Sequence, residues 1–426
     1  MTPSIRVCHV ITLLELGGAQ ETTLYTVANL RPPFRPSLVC GAGGLLDEEA
    51  RRIPGVVPTF LPSLVRPIRP IADLRALLGL TALFKRLRPH IVHTHSSKAG
   101  ILGRAAARLA RVPIVVHSIH GFGFNDRQPG LLRSLLLALE RRAARSTTHF
   151  IAVSRANLER GVALGILARE KATLIRSGVM LDRFQAAGRA AGRDETLRAG
   201  GGLRRELGLS QSAPVVGMIA CLKPQKSPLT FVEVAARLVA EFPDASFVLA
   251  GDGELRERVL ARAAALGLGG RLHVLGWRRD VPRVMAALDV LVLTSLWEGL
   301  PKVLPEAIAA GVPIVATAVD GALDILEDGV NGFLCAPGDA EGMASRVTRL
   351  LRDPTLRREV AARARSVLPQ FDIDAMVRAQ ERLYRELLER AGVSQSEAGA
   401  GCGGAGAPGP AIKDEARAGL VALPAP

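Results

Sequence analysis

Aromatic side chains are scarce in this sequence: two tryptophans, two tyrosines and twelve phenylalanines among 426 residues. So few rings offer little to stack bases on, and no nucleic-acid recognition motif accompanies the formal charge of +15, so no nucleic-acid partner is expected. Lysine is scarcer still, at 7 against 48 arginines, and in a chain rich in alanine and glycine part of the basic excess follows composition. No run of about eighteen apolar residues escapes a charge or a turn former, which leaves no transmembrane helix to expect. The five cysteines, Cys8, Cys40, Cys221, Cys335 and Cys402, lack CxxC spacing, and their odd number would strand one thiol in an oxidising compartment. A reducing cytoplasm is the expected location. A basic leader with a small-residue cleavage site is also missing before Ile5-Arg6-Val7-Cys8-His9-Val10-Ile11, which reads as a first strand.

What is present is a long alternation of short β-branched runs with helical patterns, in a chain too long for one core. Strands are expected near 6–11, 37–40, 90–93, 113–117, 149–153 and 173–176, with helices near 20–30, 71–88, 98–110, 131–145 and 155–164. A second series of strands follows at 214–219, 246–250, 271–275, 290–294, 313–316 and 332–335. Two doubly wound α/β domains, 1–180 and 206–370, are the economical reading. Between them, 181–205 is Ala/Gly/Arg-rich without strand periodicity and reads as a mobile linker or insertion. An amphipathic helix at 371–392, with Met376, Leu383, Tyr384 and Leu387 on one face, is expected to pack back on the first domain. The Gly/Ala/Pro/Ser-rich tail 393–426 is expected to be disordered.

The densest chemistry lies in Thr294-Ser295-Leu296-Trp297-Glu298-Gly299-Leu300-Pro301-Lys302-Val303-Leu304-Pro305-Glu306-Ala307. An apolar strand ends there, a Gly/Pro turn follows, and a helix is expected to begin near Pro301, where proline is tolerated. Amides at Lys302, Val303 and Leu304 would then offer an anion site at the helix N-terminus. A nucleotide diphosphate there would put its sugar near Glu298 and its ribose near Glu306. Taken singly, a solvated turn residue and a helix-surface charge explain the same glutamates.

Other candidates share the strand-end location. The loop Ala220-Cys221-Leu222-Lys223-Pro224-Gln225-Lys226 follows the first strand of the second domain, and its lysines suit a diphosphate or simple solvation. Gly17-Gly18 opens a helix after the first strand, as a close backbone approach to phosphate or as an ordinary turn. His93 and His95 have same-face strand spacing, but no third ligand of suitable spacing is evident. Metal binding, acceptor-side contacts and structural hydrogen bonding all remain open for that pair. His120 ends another strand, where open α/β sheets place their ligands, and a structural histidine is its alternative. Gly251 and Trp277 follow two further strands.

The Glu298-to-Glu306 run closely resembles the E-x7-E element of family-4 retaining glycosyltransferases, and the downstream Gly311-Val312-Pro313-Ile314-Val315-Ala316-Thr317 strand and Gly321 turn match as well. The resemblance spans roughly residues 5–390 apart from 185–202. It implies a GT-B fold, two doubly wound Rossmann-like domains facing a central cleft, with an acceptor-side N-terminal domain and a C-terminal domain that binds a nucleotide sugar. The family's roles would fall on His120 and Glu298 as catalytic residues. Gly17, Gly18, Lys223, Lys226, Gly251, Trp277, Leu300, Val303 and Glu306 would bind the donor, and Ser295 would line the same site. Cys221 stands where the family usually has arginine; some relatives place the basic residue at the position of Lys223. Gln20 stands at a usual glutamate.

The resemblance further implies retention of anomeric configuration, no catalytic metal and no cofactor beyond a nucleotide-sugar co-substrate, expected to be a UDP-sugar. The stretch from Val92 to Arg104 looks like bacterial enzymes of capsule, exopolysaccharide or O-antigen assembly, which implies a glycan or polyprenyl-diphosphate-linked acceptor. A GT-B nucleotide-sugar epimerase and a non-catalytic sugar-nucleotide-binding protein are the alternatives.

Between Arg66 and Arg111 ten Lys/Arg face the single acid Asp73, and the 131–145 helix adds four arginines against Glu140. Peripheral contact with the anionic inner face of a plasma membrane is the expectation, with a merely solvated basic face as its alternative. The leucines Leu132, Leu135, Leu136 and Leu139 of that helix read as a core-facing stripe.

Overall fold

The computed structural model describes residues 4–124, 128–193, 202–210 and 212–393, so the tail expectation for 393–426 lies, but for one residue, outside the described residues. The chain divides into two compact units, Met1–Ser177 together with Asp374–Pro426, and Gly178–Ile373.

In the first unit the strands are β1 (Ile5–Val10), β2 (Phe34–Cys40), β3 (Thr59–Phe60), β4 (Ile91–His95), β5 (Ile114–Ile119), β6 (His149–Ala152) and β7 (Ala172–Leu174). They form one parallel sheet in the order β3-β2-β1-β4-β5-β6-β7. Strands covered on both faces are buried throughout, and every residue of β4 and β5 is, the polar His93, Thr94, His95, His117 and Ser118 included. The covering helices are α1 (Gly18–Asn29), α2 (Asp47–Arg51), α3 (Pro70–Leu87), α4 (Ser97–Leu109), α5 (Gly130–Ala144) and α6 (Arg155–Ala163). Pro70 sits in the first turn of α3, where its missing N–H costs nothing, and Arg88 closes that helix in the left-handed region.

The helix Ile373–Arg390 joins this unit from Asp374 onward. Its Tyr384 is fully buried, 5.6 Å edge-on to Phe34, while Tyr25 Oη donates to Asp374 (2.8 Å) and the Arg31 amide to Glu381 (2.7 Å). Beneath the sheet, α4 and α5 are joined by a buried ion pair, Arg104 to Glu140 at 2.5 Å. Arg104 is 0 % exposed, so one of the ten basic residues counted toward a surface field is not on the surface.

The second unit repeats the plan with β8 (Val215–Ile219), β9 (Ser246–Ala250), β10 (Leu272–Gly276), β11 (Val290–Leu293), β12 (Ile314–Thr317) and β13 (Phe333–Cys335). The order is β10-β9-β8-β11-β12-β13, all parallel. Phe231, Phe247 and Phe333 anchor the core on one face and Leu291, Leu304 and Ile314 on the other.

The linker expected at 181–205 is not what its described part forms. Leu181–Arg193 is a helix, α7, packed on the helix Val303–Ala310, and Leu203–Glu206 is a further short helix. Small residues that look like spacer in the sequence are here a packing surface: a Cβ on Gly188 would collide with the Ala310 carbonyl, so glycine sets how closely the two helices approach. Residues 194–201 of that stretch lie outside the described residues.

Candidate functional site

In each sheet the chain runs outward in one direction, then returns to start the other half, and the carboxyl ends on either side of that reversal are where α/β sheets bind ligands. The reversal falls between β8 and β11 in the second unit and between β1 and β4 in the first.

At the second-unit reversal, the loop after β8 meets the turn after β11. The Leu296 amide donates to the Gln225 carbonyl (2.7 Å), Gln225 Nε2 to the Trp297 carbonyl (2.9 Å), and Thr294 Oγ1 to the carbonyls of Lys226 and Ser227 (2.9 Å each). These bonds bring Lys226 onto Glu298: the ammonium donates to Glu298 Oε1, which also accepts from Ser295 Oγ at 2.6 Å. Glu298 is only 7 % exposed, and its amide donates to Asp320 Oδ2 (2.8 Å). A carboxylate so buried must be paired and hydrogen-bonded, which excludes the solvated-turn reading of Glu298. No sequence pattern marks Asp320; only Gly321 after it signals that turn.

The other loops are stitched alongside. The Leu222 amide donates to the Asp252 carbonyl (2.9 Å) and the Gly251 amide to the Gly276 carbonyl (2.8 Å), so Lys223, Gly251 and Trp277 stand at the ends of three adjacent strands. Gly251 has φ +142°, and a Cβ there would collide with the Ala220 carbonyl, so this approach requires glycine. Trp277 is 42 % exposed, Lys223 half-buried.

Beyond Glu298, Leu300 packs on the core and the helix begins at Val303 rather than Pro301. The Leu304 amide bonds the Pro301 carbonyl at 3.1 Å, so it is not among the amides an anion could use. Glu306 lies in the first turn, half-buried. Asp289 is structural: its Oδ2 accepts from Arg204 (2.7 Å) and from the Val215 amide (2.9 Å).

At the first-unit reversal Gly17 caps α1 in extended geometry (φ −178°), a conformation open to any residue, and Gly18 starts the helix. Ser96 Oγ bonds Thr12 Oγ1 (2.8 Å) and ties the ends of β1 and β4 together. The histidines there form a cluster larger than expected. His9 lies opposite His93 in the sheet register, and ligand atoms of His9, His93 and His95 all fall within 4.8 Å of one another. A third histidine, which sequence spacing does not reveal, thus stands beside the pair, 84 residues upstream of His93 on the neighbouring strand. His93 bonds Tyr384 Oη through Nδ1 (2.5 Å) and Ser118 Oγ through Nε2 (2.8 Å). His9 Nδ1 lies 3.1 Å from His95 Nε2, and His95 Nδ1 lies 3.2 Å from His120 Nε2. Burial drives the basicity of these rings down, His9 to about 3 and His93 and His95 well below the ordinary range, so all three are neutral at pH 7. His120 itself is half-buried, directly after β5.

Residues 16–183 match Glycosyltransferase Family 4 and residues 202–367 match Glycosyl transferases group 1. Over 392 residues the chain is 33 % identical to the UDP-Gal:alpha-D-GlcNAc-diphosphoundecaprenol alpha-1,3-galactosyltransferase of Escherichia coli, covering 90 % of this chain and 97 % of that protein. It is 25 % identical to an N,N'-diacetylbacillosaminyl-diphospho-undecaprenol alpha-1,3-N-acetylgalactosaminyltransferase of Campylobacter jejuni, over 76 % of this chain and 84 % of the relative. Among solved structures it superposes on Anabaena HepE, crystallised with UDP and glucose, with a TM-score of 0.75 at 22 % identity, covering 90 % of this chain and all of that one.

Proposed function

The chain belongs to the family-4 glycosyltransferases of GT-B fold, and on that premise we propose that it transfers a sugar from a UDP-sugar, with retention and without a metal ion, to a polyprenyl-diphosphate-linked acceptor in surface polysaccharide assembly. The observation that carries the reading is the contact of Lys226 with the buried Glu298 at the strand-order reversal of the second unit. An ammonium held against a carboxylate is positioned there and can turn to a diphosphate when one arrives. There it offsets the negative charge that grows on the leaving phosphate, with Lys223 as a second cation in place of the arginine that Cys221 replaces. Two mobile cations and backbone amides supply what a divalent metal would. Glu298 orients the donor sugar, Glu306 holds the ribose, Gly251 and Trp277 border the base, Leu300 and Val303 line the diphosphate, and the family resemblance assigns Gly17, Gly18 and His120 to the donor as well. The acceptor hydroxyl attacks the anomeric carbon on the face the diphosphate leaves, and the departing phosphate takes its proton.

The lipid-linked acceptor draws support from the two relatives named for diphosphoundecaprenol substrates and from the surface of the first unit. No helix among the described residues is long and apolar enough to cross a membrane. Of the leucines expected to face the core, Leu132 is 36 %, Leu135 54 % and Leu139 40 % exposed and Leu136 is half-buried; Leu131 beside them is 87 % exposed, and only Glu140 and Ala143 of α5 are buried. On α3, Ile71, Leu74 and Leu78 are exposed too, and α4 packs against both helices. Exposed leucines among Arg133, Arg141, Arg142 and Arg145 suit the interface of an anionic leaflet.

The deciding experiment incubates the purified protein with a panel of nucleotide sugars, with and without a polyprenyl-diphosphate-linked N-acetylhexosamine, and reads product and anomeric configuration by NMR. Acceptor-dependent transfer with retention is expected. Inverted product overturns the stereochemistry; donor converted to another nucleotide sugar without acceptor overturns transfer in favour of epimerisation.

A further inference from the structure

The loop after β10 holds Trp277 between two anchored residues. On one side the Gly276 carbonyl accepts from the Gly251 amide (2.8 Å). On the other, Arg278 grips two carboxylates with one guanidinium: Nε and Nη2 donate to the oxygens of Asp280 (2.7 Å each), and Nη1 and Nη2 to those of Glu206 (2.6 and 3.2 Å). Arg283 closes the group, 3.0 Å from Glu206 and 3.4 Å from Asp280. An isolated surface ion pair contributes little, but a guanidinium held in fork geometry by two carboxylates fixes position as well as charge. The same hydrogen bonds hold Glu206 and Asp280 below the usual carboxylate range, so the clamp stays charged at neutral pH.

Glu206 can anchor this loop because its own short helix is fastened to the core. Leu203 is 1 % exposed, and the buried Arg204 donates to the carbonyls of Ala213 (2.8 Å) and Ala287 (3.2 Å) and to Asp289. Between the two anchors the indole of Trp277 is 42 % exposed. Ordering a loop costs conformational entropy, and doing so around an outward-facing indole suits a surface prepared for a planar ligand. β10 lies two strands from β8, about 10 Å at ordinary strand spacing. That separation matches the reach of a nucleoside from a diphosphate at the reversal.

We propose that Glu206 and Asp280 are positioning residues that, through Arg278, hold Trp277 as a preset wall against a pyrimidine base, and so set a preference for uridine over the larger purine nucleotides. This rests on the reading that Trp277 borders the base; it adds which residues fix that border and what they select. A wall that cannot retreat excludes a purine, whereas a loose one accommodates it.

Calorimetry with UDP, ADP and GDP tests the clamp. The unaltered protein should prefer UDP. Glu206→Ala should weaken UDP about 5- to 10-fold while leaving the purine nucleotides within about twofold, and Glu206→Gln, whose amide oxygen still accepts from Arg278, should retain most of the preference. In an Arg278→Ala background Glu206→Ala should add little, since the two act as a unit. A merely structural pair would lower the melting temperature and affect all three nucleotides alike; that result, or an unaltered protein indifferent to the base, overturns the proposal. Trp277→Ala binding UDP as tightly as the unaltered protein would instead overturn the base-facing reading of Trp277 itself. Independently, Trp297→Phe leaves Trp277 as the sole tryptophan. Time-resolved fluorescence anisotropy should then show a rigid indole that Glu206→Ala loosens, and equal motion with and without Glu206 overturns the clamp.

Discussion

Lys226 and Ser295 both donate to one oxygen of Glu298, so the cation proposed for the diphosphate and the carboxylate proposed for the sugar are partners of each other. Lys226→Ala should therefore act in two ways. Losing about 2–3 kcal/mol of transition-state stabilisation would slow turnover roughly 30- to 150-fold. Leaving the Glu298 carboxylate buried without its partner would also lower the melting temperature. Adding Glu298→Gln should restore much of the thermal stability and none of the transfer; recovery of both would mean that the lysine serves only the pair.

The two glutamates should separate in calorimetry with UDP. Glu306→Gln removes a charge-assisted contact to the ribose and should weaken nucleotide binding by about 10- to 150-fold, while Glu298→Gln should leave UDP affinity within about threefold and impair transfer. Equal losses of UDP binding in both variants would contradict the division of roles.

Acid should destabilise the first unit early. His9, His93, His95 and His117 are held neutral by burial, with basicity depressed far below that of an unfolded chain. The unfolded state therefore binds more protons below about pH 6.5, and each such histidine removes up to about 1.4 kcal/mol of stability per pH unit as pH falls. Calorimetric melting between pH 8 and 5 should show a plateau above about pH 7 and a steep decline below about 6.5. A melting temperature unchanged from pH 7 to 5 would show that these rings are not buried neutral.

Much of this was visible in the residue order. The alternation of strands and helices, the Glu298 turn and the Lys226 loop depend on contiguous patterns, and local sequence carries those. His9 escaped because its proximity to His93 depends on β1 and β4 being neighbours across 84 residues, which no spacing rule encodes. On α5, periodicity reveals a leucine stripe but not what covers it. Residues 181–193 escaped for the opposite reason: alanine is a strong helix former, but mixed with glycine and arginine it lacks strand periodicity and reads as spacer, whereas the missing side chain at Gly188 is what permits contact with the helix Val303–Ala310.

Those leucines make membrane attachment testable. The protein should float with anionic liposomes at low salt and detach as salt rises, because basic side chains are screened over about 8 Å at physiological ionic strength. Leu131→Ser/Leu135→Ser should weaken flotation without lowering the melting temperature, since both side chains already face solvent. Equal indifference to anionic and neutral vesicles at low salt would refute the attachment.

The helix that carries Tyr384 has a consequence for the order in which the chain can fold. On the ribosome, β1 to β7 emerge first, yet the side chain that meets His93 and Phe34 arrives about 200 residues after the first unit's last strand, once the whole of the second unit has been made. The unit begun first is thus completed last, and until its final helix arrives the pocket around His93 stands open on the nascent chain.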